Sequence, residues 1–494
     1  MVPPMQSHDF ATRCESALVR FTLLIAISFV LLPQVLKVFM VGLSAADDGY
    51  FAMIARQLAL TGQYALPLSS SNASIFDPEI GSGPALILPG AIMMVLFGPL
   101  PWVPGLTTLA MFSAQLSVFF YVVGTTFGRK RTYIYAAMCV IFLAVLTTYR
   151  GYYSNYIGEA PAVGFFLIGT ALLHRANSRS AVFTAGILFS AALLTKLILL
   201  FCCVGACAAW FISKIVRDQV RAFVDSAVLT SGVALPLLSF ELVKLVTLGV
   251  AGYWRYWSGL IVTTESLHAV PIDRWSTFLR EITIYQITPG VCIFVFVTCA
   301  LLAIQRFIRT DDLSERAHSL QMMLFGAAAL QAIYFVYFSA MWSRYFWSGI
   351  AAIAFGGVVP VLGAGALVRW ATILSFAAMV ASPQALLRFY TAQTERTDGS
   401  VIAEKREMIR LIESRPDLAV VGQSWQSTFD ITFLLPIRRT WRNNNDFSSV
   451  GSALVIWNKE FLNKAYPLPA EVASKCTVVK SVTNYEAFVC GGHE

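Results

Sequence analysis

The stretch Pro84–Phe97, PALILPGAIMMVLF, decides the fold, because the sidedness of everything after it depends on whether it crosses a membrane. An apolar run of about 10–14 residues is more often interfacial or re-entrant than spanning, and this one contains Pro89 and Gly90. Longer apolar runs lie at 21–43, 104–127, 132–149, 157–173, 181–195, 197–212, 222–246, 287–304, 319–338, 346–366 and 370–386. Most of these approach the roughly 20 residues that a helix needs to cross the hydrocarbon core. Charge decides between the two readings. If the N-terminus with Arg13 and Arg20 is cytoplasmic and 84–97 does not cross, five later basic groups also fall inside. They are Arg129-Lys130-Arg131, His174 to Arg179, Lys214 to Arg221, Arg306 to Arg316, and Arg369, which with Arg13 and Arg20 put 14 Lys and Arg inside. The outward loops then hold seven, or nine with Lys37 and Lys244 at the outer ends of their spans. A crossing at 84–97 would put most of the clusters outside, against the positive-inside tendency. About eleven spans are therefore expected.

Composition agrees with a membrane chain. Of 494 residues, 57% are hydrophobic and 13% charged, where soluble domains carry roughly a quarter of their residues as charges. The net charge of +8 sits in short clusters between apolar runs. That is a topology signal addressed to membrane lipids, not a nucleic-acid surface. Both flanks of 181–212 are basic, so the chain must turn back near Thr195-Lys196, with Lys196 at the outer end of two short helices and in need of a partner. Cys139, Cys202, Cys203, Cys207, Cys292 and Cys299 lie in apolar segments and read as buried thiols. Ser44-Ala45-Ala46 has the small residues of a cleavage site, but the apolar segment before it is longer than a signal h-region, so the first helix is expected to stay.

Three parts face outward on this topology. The first is the loop from 44 to about 83, carried on to 103 by the non-crossing segment. The second is 247–285, rich in Tyr and Trp. The third is a domain at 387–494, following a transmembrane module at 1–386. In the third, strand-like runs at Leu418-Ala419-Val420-Val421, Ser452 to Trp457 and Cys476 to Val479, with a helical stretch near 401–414, read as a small α/β domain. Cys476 and Cys490 either form a disulfide there, in an oxidising compartment, or remain two reduced thiols. The fold expected is thus an all-α polytopic membrane protein with a small C-terminal α/β extracytoplasmic domain.

The stretch Asp47-Asp48-Gly49-Tyr50-Phe51-Ala52-Met53-Ile54-Ala55-Arg56-Gln57-Leu58 places Phe51, Ile54, Ala55 and Leu58 on one helical face. A helix lying on the outer leaflet is expected, with both aspartates at its positively polarised start. On local physics alone, either aspartate could be simply a helix cap. The order of elements resembles the GT-C superfamily of membrane glycosyltransferases, in the branch of protein mannosyltransferases and the lipid A aminoarabinose transferase. An apolar first helix leads into the acidic pair, Tyr50, Ile54-Ala55-Arg56 and a Gly62-Gln63-Tyr64 turn, then a Gly83-Pro84 segment running to Phe97-Gly98. Tyr156-Ile157-Gly158-Glu159, Leu193-Leu194-Thr195-Lys196 and Ser343-Arg344-Tyr345 follow where that family has similar elements. The resemblance covers most of 20–385.

It implies transfer of a hexosyl or pentosyl group from a polyprenyl-phosphate donor to a glycan, lipid or protein acceptor, at the outer face and with inversion. It implies Asp47 as catalytic base, with Asp48 as partner or substitute, and a bacterial inner membrane facing the periplasm, an endoplasmic reticulum location being the alternative. The chain departs from the family at Gly83, where relatives carry a donor-contacting lysine, so another cation must balance the phosphate.

The residue types suit that chemistry. The leaving group is already an acidic phosphate, so what is needed is one carboxylate to take the acceptor's hydroxyl proton and cations to hold the phosphate. Arg344, Lys196, Arg150 and Arg255 are the candidate cations; for Arg344 a guanidinium snorkelling to headgroups is the plain alternative. Tyr50 and Tyr345 are candidate substrate contacts. Glu159 is a candidate contact to a metal or the acceptor and Glu79 to a metal or the sugar, against the plainer readings of a helix-start acid and a solvated loop acid; metal dependence is left open. The run Tyr253-Trp254-Arg255-Tyr256-Trp257 either stacks on a sugar or forms an interfacial belt. A lipid or solute transporter, or flippase, is the competing class. It would be expected to show repeated halves with broken helices, which the sequence lacks.

Overall fold

The structure, a computed structural model, describes residues 31–40, 42–43, 47–69, 72–77, 83–146, 154–216, 218–268, 273–276, 312–339, 343–363, 365–381, 400–423, 429–435, 441–444, 452–459 and 470–491, with isolated positions at 278, 294, 297–298, 300 and 468. The expected span at 287–304 thus lies almost wholly outside the described residues, as does the first half of the span at 21–43.

The apolar runs fold as helices. They are α1 (Leu31–Met40), α2 (Asp47–Thr61), α3 (Pro84–Phe97), α4 (Val103–Phe127), α5 (Arg129–Leu146), α6 (Glu159–Arg175), α7 (Arg179–Thr195), α8 (Leu200–Ile215), α9 (Gln219–His268), α10 (Asp312–Phe338), α11 (Trp347–Val358) and α12 (Ala366–Val380). Four of the described helices are long and apolar enough to cross a membrane. The chain is an integral membrane protein, mostly helical, with one small sheet near its C-terminal end. The break expected at Thr195-Lys196 is present. Lys196 leaves the helical region at φ −150°, ψ 113°, and one turn of tighter helix, Leu197–Leu199, starts the chain back.

Without a hydrophobic difference between helix and lipid, packing depends on close approach and on polar contacts between helices. Both occur. At the α8–α10 crossing, Gly205 and Gly326 face each other so closely that a Cβ on either would run into the other's carbonyl oxygen. Tyr135 on α5 donates to the Phe355 carbonyl at 3.2 Å, and Gln321 on α10 donates to the Gly356 carbonyl at 3.1 Å. The segment expected as loop from 247 is helical through His268. It continues α9 past a sharp bend at Gly249, whose φ of +66° only glycine adopts cheaply.

Between α2 and α3 the strands β1 (Ala65–Pro67) and β2 (Ala73–Ile75) pair antiparallel. Beyond α12 lie α13 (Ser400–Ser414), β3 (Ala419–Gln423), α14 (Phe429–Leu434), β4 (Trp441–Asn444), β5 (Ala453–Asn458), α15 (Ala470–Lys475), β6 (Cys476–Ser481) and β7 (Tyr485–Cys490). The sheet order is β4-β3-β5-β7-β6, with β3 parallel to β4 and β5 and the remaining pairs antiparallel. A disulfide joins Cys476 to Cys490, which sit opposite each other across β6 and β7.

The sequence placed α2 on the lipid surface, and the structure corrects this. Tyr50, Phe51, Ala52, Met53, Ile54 and Ala55 are all buried, in a single core that includes Leu86 and Ile87 of α3 on one side and Met408, Ile412, Ile431 and Phe433 of the tail domain on the other. Two facing surfaces cover this helix all round, so its single apolar stripe understated its burial.

Replacing Gly326 with Leu should force α8 and α10 apart. Overpacking of this kind costs about 1–3 kcal/mol, and the check is a lower thermal denaturation midpoint of the detergent-solubilised protein.

Candidate active site

Asp48 lies at the start of α2 and is 2% exposed. A buried carboxylate needs donors, and the helix start supplies a favourable field. One carboxylate oxygen, Oδ1, accepts from the backbone N–H of Tyr156. Tyr156 is held in turn: its hydroxyl donates to the Leu86 carbonyl at 2.9 Å, on the turn of α3 that Pro89 loosens, and its ring fills the notch left by Gly90. Gly158, at φ +91°, turns the chain into α6 and makes Glu159 the first helical residue.

Glu159 is 1% exposed, and neither of its oxygens has a hydrogen-bond partner among the described residues. Its counter-charge is Lys196, whose Nζ lies 3.8 Å from Oε1. That ammonium also sits 4.8 Å from the centroid of the Phe51 ring on α2. Asp48 is near enough to act on Glu159 electrostatically. Two carboxylates and one ammonium, from α2, α6 and the α7–α8 break, therefore share one buried site.

The glycine at 83 has a steric reason. Its backbone N–H donates to the Thr195 carbonyl at 3.2 Å, and a Cβ there would collide with the Leu194 carbonyl. The start of α3 thus lies against the strand-like break that carries Lys196. The position where a lysine was expected has none, and the chain packed onto it brings a lysine into the site from elsewhere.

Of the other sequence candidates, Tyr50 is buried beside Phe51, edge to face at 5.3 Å. Tyr345 lies in the turn Ser343–Phe346 before α11, and Gln331 of α10 pins its carbonyl at 2.7 Å. Asp47 and Arg344 are described through their backbone only: Asp47 is the first residue of α2, and Arg344 lies in the Ser343–Phe346 turn. Glu79 and Arg150 lie outside the described residues. Arg255 is exposed on α9 beyond its bend, and none of its described contacts reaches the Asp48 cluster.

The aromatic run around Arg255 has an occupant within the chain. Lys244, across the Gly249 bend, places Nζ 4.3 Å from the Tyr256 ring, 5.4 Å from Trp257 and 5.0 Å from Phe240, and ion-pairs Glu241 at 2.5 Å. These rings close a helical hairpin around an ammonium. A separate cavity of about 680 Å³ between α1, α4 and α5, bordered by Gln34, Phe112, Ser113, Phe120 and Arg129, shares no residue with the Asp48 cluster. Among the described residues, no group of three or more His, Cys, Asp or Glu could hold a metal ion.

The sequence reading missed the Tyr156 N–H and Gln331. A backbone donor has no sequence signature, and Gln331 sits inside an apolar helix with nothing to mark its partner.

The arrangement is similar in fold to solved structures of membrane glycosyltransferases, one of them from the branch that the order of sequence elements resembles. The apo structure of ArnT from Cupriavidus metallidurans, a lipid A aminoarabinose transferase, matches over 94% of this chain and 97% of its own, with a TM-score of 0.59 and 12% identity. The Archaeoglobus fulgidus oligosaccharyltransferase, in complex with Zn and sulfate, matches over 90% of this chain and 68% of its own, with a TM-score of 0.52 and 14% identity. No family model matches the sequence, and neither does any curated protein, so the likeness is one of fold.

Truncating one member of the buried pair should cost more than removing both charges. Lys196→Met leaves Glu159 without a counter-charge, at a cost of about 3–5 kcal/mol. The double variant Lys196→Met/Glu159→Gln should recover part of that, which thermal denaturation of the singles and the double would show.

Proposed function

We propose that the protein is a polytopic membrane glycosyltransferase that moves a hexosyl or pentosyl group from a polyprenyl-phosphate donor to a glycan, lipid or protein acceptor. The observation that carries the proposal is a buried carboxylate, Asp48, beside the Glu159–Lys196 pair, in a chain with the fold of enzymes of this class. In this reading about eleven helices span the membrane, and the Asp47–Asp48 pair and the tail domain are on the outer side. The expected membrane is a bacterial inner membrane, and a disulfide in the tail suits its oxidising face.

Asp47 takes the proton of the acceptor hydroxyl as that oxygen attacks the anomeric carbon from the face opposite the phosphate, which inverts the configuration. Asp48, bound to the Tyr156 N–H, fixes the start of the helix that presents its neighbour. Lys196 answers the charge growing on the leaving phosphate, in place of the lysine that Gly83 excludes; Arg344 is a second donor to the phosphate oxygens, with Arg150 and Arg255 as outer cations. A phosphate arriving near Lys196 competes with Glu159 for the ammonium, so Glu159 stores the cation between turnovers. Tyr50, Tyr345 and Glu79 are assigned to the sugar and its acceptor.

Purified protein given a radiolabelled polyprenyl-phosphate sugar should release or transfer label. Positioned base catalysis is worth about 10²–10⁴-fold, and Asp47→Asn should lose a factor in that range. If Asp47→Asn and Asp48→Asn both transfer at the wild-type rate, the assignment of the base is wrong.

A further inference from the structure

Lys405 of α13 is 3% exposed, and a lysine so buried must have its charge met. Asp430, at the start of α14 and fully buried, meets it at 2.9 Å and also accepts from the Tyr485 hydroxyl at 2.5 Å. The lysine has a further donor, and this one leaves the tail domain and reaches the backbone carbonyl of Leu43. Leu43 stands four residues before Asp47.

A second cation does the reverse. Arg56, near the far end of α2, is 8% exposed, and its guanidinium donates to the carbonyls of Phe433 at 2.7 Å, Leu435 at 2.9 Å and Thr432 at 3.3 Å. It also lies 5.8 Å from the Phe433 ring. Among the described residues no carboxylate pairs with it. What answers its charge is the C-terminal end of α14, where backbone carbonyls collect partial negative charge. Burial without an acid lowers the affinity of this guanidinium for its proton relative to an ordinary arginine.

One short helix of the tail, α14, therefore anchors α2 on both sides of the acidic pair, through Asp430 and Lys405 before it and through Arg56 after it. Most of these contacts across the boundary are to backbone carbonyls. Such contacts register where the chain runs and are indifferent to the side chains it carries, which suits a device that sets position. Between the two anchors the apolar core formed by Tyr50, Met53, Ile54, Met408, Ile412 and Phe433 closes the gap. Asp48, on the membrane side, is tied to Tyr156.

We propose that the tail domain is a positional clamp on α2, with Lys405 and Arg56 as the positioning residues that hold the Asp47–Asp48 pair over the membrane module. The proposal rests on the glycosyltransferase reading only in calling that pair catalytic.

The full-length protein in lipid nanodiscs would be compared as wild type, Arg56→Ala, Arg56→Lys and Lys405→Met by amide hydrogen exchange and by transfer from a radiolabelled polyprenyl-phosphate sugar. In Arg56→Ala, exchange across Asp47–Thr61 should rise at least about tenfold, the factor that a single one of its charge-assisted bonds is worth, while β5 and α10 keep wild-type protection. kcat should fall by a similar factor with the donor KM unchanged, and Arg56→Lys should restore part of both. Wild-type exchange in α2, a loss of protection spread through the tail sheet, or a loosened α2 with unchanged kcat would each overturn the clamp. A wild-type protein that transfers no label would defeat the glycosyltransferase reading alone, and the exchange result would then decide the clamp by itself.

Discussion

The structure depends on one hydrogen bond that buries a charge. A carboxylate at 2% exposure cannot be left to water, and Asp48 is answered by the Tyr156 backbone N–H. That N–H is in place because Tyr156 is held by the notch at Gly90 and by the Leu86 carbonyl. Three residues on, the same turn delivers Glu159 at the start of α6. Glu159 needs a cation, and the break between α7 and α8 supplies Lys196. The break in turn needs a neighbour without a side chain, which is Gly83. Acid, aromatic, acid, cation and glycine thus form one chain of requirements, each of which would be without purpose if the one before it were removed.

Hydropathy made the helical module legible, because an apolar run of near-spanning length has few other uses. The turn at Lys196 was legible as well, from two basic flanks that could not lie on opposite sides. The tail was partly legible: α13, β3, β5 and β6 had clear patterns, whereas the short α14 and the strand Trp441–Asn444 did not. The setting of α2 was misread for a definite reason. Its apolar face at 51, 54, 55 and 58 was visible, but a second cover supplied by residues more than 350 positions away leaves no periodic mark, and a half-covered helix and a fully covered one can carry the same stripe. The acidic pair stood out only through its place in a family-like order. The backbone donors and acceptors that hold it were beyond any reading of side-chain types.

Three buried cations among the described residues are met in three different ways. Lys196 faces a carboxylate and an aromatic ring; Lys244 is enclosed by three rings and an acid; Arg56 has only carbonyls and a ring. Only the first stands at the acidic site, and its pairing, at 3.8 Å, is longer than those of Lys244 at 2.5 Å and Lys405 at 2.9 Å. A cation held loosely is one that a ligand can recruit, whereas those enclosed by rings or bound to several carbonyls are committed to the architecture.

Gly90 illustrates how far such commitments reach. It lies in an apolar helix, carries no functional group and faces the hydroxyl end of the Tyr156 ring. Any side chain there would evict that ring and with it the amide that quiets a buried acid. In a survey of substitutions this position would therefore score like a residue of the reaction itself. A ranking of positions by sensitivity alone would count a vacancy among the chemical groups.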